Sequence, residues 1–414
     1  MNPILPREYF VPDVEAREMP DGRLYLYGSY DISGQRSYCS QVLHVFSTKD
    51  MVEWMDHGVC FRSEDVPWAG EGQEQYAPDC IYRDGKYYLY FCMNGNVEGV
   101  AEADCPWGPF RNARPIAGAD GDGIDPAVFV DDDGQAYYYW GQFRLRGAKL
   151  NADMHTLNLS SFQGNLIDEK RHGFHEGASM RKRNGLYYLT YTDISRGRPT
   201  CIGYAVSKSL LGPFDYKGII IDNVGCDPKT WNNHGSIAPY AGRWYAFYHR
   251  SSQNSGFSRR VCMEPIAFGE DGMIEEVLPT TQRCGEALSA DMGIQAADAC
   301  RLGGWGSQAH IVPDSRQGGE LLADVSGNGW AVYRDVEFGF RIRQVSLLLE
   351  TSGDGTIELW AGSECLGEVR VSDTGGARKE FSGSLKPFEG VCPLYLEWRM
   401  EEGVNAAVKS LSFL

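Results

Sequence analysis

Asp84-Gly85-Lys86-Tyr87-Tyr88-Leu89-Tyr90 is one of five versions of a single phrase in this chain. The others are Asp21-Gly22-Arg23-Leu24-Tyr25-Leu26-Tyr27, Asp133-Gly134-Gln135-Ala136-Tyr137-Tyr138-Tyr139, Asn184-Gly185-Leu186-Tyr187-Tyr188-Leu189-Thr190 and Ala241-Gly242-Arg243-Trp244-Tyr245-Ala246-Phe247. Each is a tight turn followed by an aromatic strand. Their glycines, at 22, 85, 134, 185 and 242, are spaced by 63, 49, 51 and 57 residues, a period that predicts propeller blades. Equivalent positions of successive blades converge on one axis. Nine residues before the first, third and fourth glycines stand Asp13, Asp125 and Glu176; Asp79 stands six before the second and His234 eight before the fifth. The repeat therefore predicts three acids around one channel mouth.

The rest of the chain agrees with an all-β reading. Short alternating or aromatic runs recur, such as Gln41–Ser47 and Thr200–Val206, and no long segment carries apolar residues at helical spacing. Cys105-Pro106-Trp107-Gly108-Pro109-Phe110 and Leu210-Leu211-Gly212-Pro213-Phe214 share a Gly-Pro-Phe turn, which is expected to close blades. The repeat fades after Asp271-Gly272, residues 284–293 read as a connector, and strands without the phrase follow. A five-bladed β-propeller over residues 1–285, followed by a jelly-roll-like β-sandwich over 290–414, is the expected architecture.

Charge and composition exclude several classes. A net charge of −17 argues against nucleic acid or an anionic membrane as partner, since both need clustered Lys and Arg. No apolar run is long enough to span a bilayer. The start, Met1-Asn2-Pro3-Ile4-Leu5-Pro6-Arg7, does not read as a secretory signal, so a cytoplasmic location is expected. The 12 cysteines show neither Cys-x-x-Cys pairs nor zinc spacing and read as buried small hydrophobes. The 23 Tyr, 18 Phe and 10 Trp suit aromatic strands and sugar-stacking surfaces alike.

Asp13, Asp125 and Glu176 each precede an apolar strand, where a carboxylate is costly to bury without partners. One such acid reads as a turn residue; three on three repeats read as a site. Three carboxylates at one mouth suit glycoside hydrolysis. One stays ionised to activate water, one keeps a proton for the leaving oxygen, and the third raises the acid's pKa. A base acting through water should stand about 6.5–9.5 Å from the acid.

Pro12-Asp13, Gly123-Ile124-Asp125-Pro126 and Glu176-Gly177-Ala178-Ser179 ahead of a Tyr-Tyr strand resemble glycoside hydrolase family 43 over roughly residues 8–282. The resemblance implies a five-bladed propeller that inverts configuration, with Asp13 as general base, Asp125 as pKa modulator and Glu176 as general acid. It also implies Tyr76 as an aromatic platform for the sugar and His234 as a channel histidine beside a structural calcium. Arg259 is implied as the arginine facing substrate, with Arg250 and Arg260 as rivals. No cofactor for catalysis is implied. The expected activity is exo-acting removal of terminal α-L-arabinofuranose from short oligosaccharides. β-Xylosidase, exo-β-galactosidase and a catalytically silent glycan-binding propeller are the alternatives. A retaining fructan-processing propeller would show a Trp-Met-Asn-Asp-Pro-like start, which is absent from the sequence.

Gly329-Trp330-Ala331-Val332-Tyr333, Gly355-Thr356-Ile357-Glu358-Leu359 and Asp373-Thr374-Gly375-Gly376 resemble carbohydrate-binding module family 6. Ala377 stands where ligand-binding members commonly present a Trp, so the domain is expected to buttress the propeller. Trp330 is expected in its core, and Trp305 packed on the propeller.

Overall fold

The computed structural model describes residues 1–95, 97–119, 123–282 and 285–414. Cys284, where the expected connector begins, lies outside them. Five antiparallel sheets run outward from a common axis, each in simple sequence order. Blade 1 holds Glu15–Glu18, Leu24–Gly28, Val42–Thr48 and Met55–Arg62. Blade 2 holds Gln75–Arg83, Lys86–Met93, Val97–Ala103 and Arg111–Pro115. Blade 3 holds Ala127–Val130, Ala136–Trp140, Arg144–Leu150 and Leu157–Asp168. Blade 4 holds Phe174–Arg183, Leu186–Asp193, Cys201–Ser207 and Asp215–Asp222. Blade 5 has three strands, Ser236–Tyr240, Arg243–Ser252 and Ser255–Ile266. The five repeated phrases are the turn and second strand of the five blades.

Aromatic side chains of these second strands fasten one blade to the next. The Tyr27 hydroxyl donates to the Pro106 carbonyl at 2.6 Å, and Tyr139 to the Leu210 carbonyl at 2.9 Å. Their targets are the two Gly-Pro-Phe turns, which join third to fourth strands instead of closing blades. Phe110 and Phe214 then bury against the preceding blade. The start of the chain completes the ring on blade 5. The Ile4 amide donates to the Val261 carbonyl at 3.1 Å, and the Asn2 side chain accepts from the Met263 amide and donates to its carbonyl, both at 3.0 Å.

Beyond the propeller, two six-stranded sheets face each other around Leu322, Tyr333, Leu347, Ile357, Leu396, Trp398 and Leu411. Trp398, not Trp330, is the core tryptophan. Trp330 is half-buried on the outer side, where edge residue Gly303 leaves room for its ring. Trp305 does not pack on the propeller; it is 88% exposed. Charge and backbone join the two parts instead. Arg7 pairs with Asp298 and Glu320, Arg260 Nη2 lies 2.7 Å from Glu320, and the Leu302 amide donates to the Gly225 carbonyl at 2.6 Å. No helix among the described residues is long and apolar enough to cross a membrane.

Candidate active site

The channel mouth is built from one backbone position in each blade. Asp13, Ala77, Asp125 and Gly177 each stand two residues before an inner-strand residue paired with the second strand: Glu15 with Tyr27, Asp79 with Tyr90, Ala127 with Tyr139, Ser179 with Thr190. All four have positive φ, between 34° and 71°. This left-handed kink lifts the chain out of the strand and aims it at the axis; Asp tolerates it and Gly favours it. His234 holds the corresponding place before Ser236 in blade 5. Tyr76 and Glu176 stand one residue earlier, each at a β-bulge.

Asp13, Tyr76, Asp125, Glu176, His234 and Arg259 all line one cavity of about 500 Å³, together with Tyr38, Cys39, Gln142, Phe143 and Asn232. The six residues singled out from the sequence are thus brought together. Asp79 is not among them; it lies two residues deeper, level with Glu15.

The carboxylates differ sharply in environment. Asp13 Oδ1 accepts from Arg259 Nη1 at 2.9 Å, and His249 Nδ1 and His234 Nδ1 lie 3.4 and 3.9 Å from it. Burial alone would raise its pKa. Arg259, then His249 and His234, outweigh burial and hold Asp13 well below the usual carboxylate range. Asp125 moves the other way. Burial, then the charges of Glu176 and Asp13, push it well above a normal carboxyl, against the opposing Gly177 amide and Arg259. Glu176 accepts from Gln142 Nε2 at 2.7 Å. Asp13 in this cavity is therefore firmly ionised, while Asp125 favours its protonated form. The His234 ring lies 3.8 Å from Asp125 Oδ2, and burial, working against Asp13 and Glu176, lowers its pKa. Burial raises the Tyr76 phenol to about 12.

Arg259 is the arginine of the three that faces the cavity. Its guanidinium is fully engaged by protein: Nε and Nη2 reach Asp31 at 2.9 Å, Nη1 reaches Asp13, and its plane lies 4.7 Å over the Tyr38 ring. It acts on the cavity by fixing Asp13. Arg250 turns to Tyr248 and Glu264, and Arg260 to Glu320. Asp31, Tyr38, Gln142, Phe143 and His249 have no counterpart in the sequence reading. Several of these follow or end a second strand, which an antiparallel hairpin returns to the same mouth as the start of the inner strand. That return was the available signal.

Ion pairs fill the channel beneath the mouth. Arg17 bonds both oxygens of Asp79, at 3.1 and 2.8 Å, and lies 3.3 Å from Glu15, while Arg181 pairs with Glu15 and donates to the Ala16 carbonyl. Both axial acids beneath the mouth already carry guanidinium counter-charges. Among the described residues no three His, Cys, Asp or Glu form a set that could hold a metal.

The sequence profile of Glycosyl hydrolases family 43 matches residues 1–274. The chain belongs to glycoside hydrolase family 43. A xylosidase/arabinosidase of Thermoclostridium stercorarium is 30% identical over 465 aligned positions, 96% of each chain. A family 43 β-xylosidase/α-arabinofuranosidase from a compost metagenome, solved with xylotriose in a calcium-free form, superposes with TM-score 0.59 at 32% identity, covering 67% of this chain and 97% of that one. An arabinoxylan arabinofuranohydrolase from Bacillus subtilis covers all of this chain, and 97% of its own, at TM-score 0.59 and 24% identity; that likeness extends the shared fold to the sandwich. This family 43 chain is a glycoside hydrolase, and the family's hydrolysis needs no cofactor.

Proposed function

We propose that the protein is an inverting exo-glycosidase that removes terminal α-L-arabinofuranosyl residues from oligosaccharides, with Asp13 as general base, Glu176 as general acid and Asp125 as modulator of the acid's pKa. One observation carries this reading: Asp13, held ionised by Arg259, lines a single cavity with Asp125 and with Glu176, whose carboxylate accepts from Gln142. In the reaction Asp13 takes a proton from water as the water oxygen bonds to the anomeric carbon. The glycosidic C–O bond breaks, and Glu176 supplies the proton that leaves with the aglycone oxygen. Tyr76 stacks on the sugar, His234 lines the floor, and Arg259 positions Asp13.

β-D-Xylosidase activity is the second reading, favoured by the combined xylosidase/arabinosidase names of the relatives. A cavity of about 500 Å³ suits one sugar at a chain end, which supports exo action. The eleven described cysteines are all unpaired, which supports a reducing, cytoplasmic setting. Many polar interdomain bonds support the sandwich as a buttress.

Hydrolysis of aryl α-L-arabinofuranoside and β-D-xylopyranoside tests the reading, each run beside Glu176→Ala. Turnover of one glycoside is expected, with at least a hundredfold loss in the variant on a substrate whose leaving group needs protonation. NMR should show the inverted anomer as first product. Near-wild-type turnover by Glu176→Ala would remove that residue from the acid role.

A further inference from the structure

A general acid must stand beside the oxygen it protonates, so the departing part of a substrate lies on the acid's side of the cavity. On the Glu176 side a second groove of about 740 Å³ adjoins the cavity, and the two share Gln142 and Phe143. Gln142 is the residue that bonds Glu176. Phe143 is 52% exposed, yet its backbone is held firmly: its amide donates to the His175 carbonyl at 2.7 Å and its carbonyl accepts from the Glu169 amide at 3.0 Å. It has φ of 61°, unusual for a bulky side chain, and its ring meets His175 edge-on at 5.2 Å. A half-exposed aromatic ring is thus fixed at the border between the two spaces. Beyond it the groove is polar, with Asn165, Asp168, Lys170 and Arg171.

We propose that this groove is the leaving-group subsite, that it receives a neutral glycan chain, and that Phe143 is the stacking platform for the first sugar beyond the scissile bond. This rests on Glu176 as general acid. An apolar ring face beside amide, carboxylate and cationic groups matches a sugar, which offers C–H bonds on one face and hydroxyls around its edge. The α1 segment Glu169–His172, capped by the Asp168 side chain on the Arg171 amide, forms the far wall.

The experiment compares kcat/KM for an oligosaccharide with kcat/KM for the glycosyl fluoride of the same sugar, whose leaving fluoride fills no aglycone subsite. In Phe143→Leu the oligosaccharide-to-fluoride ratio should fall about tenfold, and Phe143→Tyr, which keeps the ring, should restore most of it. Asn165→Arg, a surface change that narrows the groove, should lower the same ratio and serves if Phe143→Leu does not fold. An unchanged ratio in both Phe143→Leu and Asn165→Arg would overturn the subsite. So would an equal loss on both substrates in Phe143→Leu, which would assign the ring to the sugar in the cavity. If these ratios stay fixed while Glu176→Ala is inactive, the subsite fails and the acid assignment stands. If Glu176→Ala stays active on the oligosaccharide, both fail together.

Discussion

Asp13 and Asp125 occupy the same backbone position in blades 1 and 3 and carry opposite electrostatic burdens. Asp13 meets Arg259 and two histidines, so it remains a carboxylate well into acid. The acidic limb of the activity profile therefore should not report Asp13 at ordinary pH. The basic limb should report loss of the proton from Asp125, whose ionisation burial and the charges of Glu176 and Asp13 oppose. Asp125→Asn fixes this position in a neutral form that has no proton to lose. The part of the basic limb owed to Asp125 should disappear in this variant, with a reduced maximum. A pH–rate profile of kcat/KM measures this; a basic limb unchanged from the parent enzyme would show that Asp125 does not set it. The acids were legible because each interrupts an apolar strand start. Asp31 and His249 were not, because a counter-charge brought in from a distant loop leaves no periodic trace.

At the scale of the element, the turn-and-strand phrase located every blade, and equal counting from its glycine located Asp13 and Asp125 correctly. For Glu176 the count of nine reached a different position. Blades 1 and 3 join inner and second strands through five residues, 19–23 and 131–135, whereas blade 4 uses Asn184-Gly185 alone. Glu176 accordingly stands one residue ahead of the kink, and Gly177 occupies it. Turn length is set by local hairpin chemistry, so a repeat in sequence need not be a repeat in register. Gly177 also has a packing reason to be glycine. A Cβ there would meet His234 Cδ2 and Thr192 Oγ1 at 2.9 Å, and its φ is 71°. Gly177→Ala should destabilise the protein by roughly 1–3 kcal/mol and displace the amide that opposes protonation of Asp125. Thermal unfolding of the variant checks the first part; an unchanged melting temperature would mean that the kink relaxes without cost.

The whole molecule depends on a polar seam between ring and sandwich that residue patterning did not reveal. Trp305, a loop tryptophan, was expected to pack on the propeller; the docking falls instead to Glu320, buried between Arg7 and Arg260. Removing one partner of a buried ion cluster costs more than the cluster contributes, because the remaining charges stay desolvated. Glu320→Ala leaves Arg260 buried without its carboxylate while Arg7 reaches partial solvent. A loss toward the lower end of about 3–5 kcal/mol is expected in chemical denaturation. A loss below about 0.5 kcal/mol would mean that solvent fills the seam and the two parts are held by backbone bonds alone.

The pairing of Asp13 with Arg259 has a meaning in time as well as in space. The guanidinium that keeps the proposed base ionised leaves the ribosome 246 residues after it. At about 5–20 residues per second that interval is roughly 10–50 s. During it the start of the chain has no fifth blade to join, since Asn2 and Ile4 wait for Val261 and Met263. The closing event of folding and the charging of the site are thus one step, and a nascent chain that stops short of blade 5 carries its acids without a competent centre.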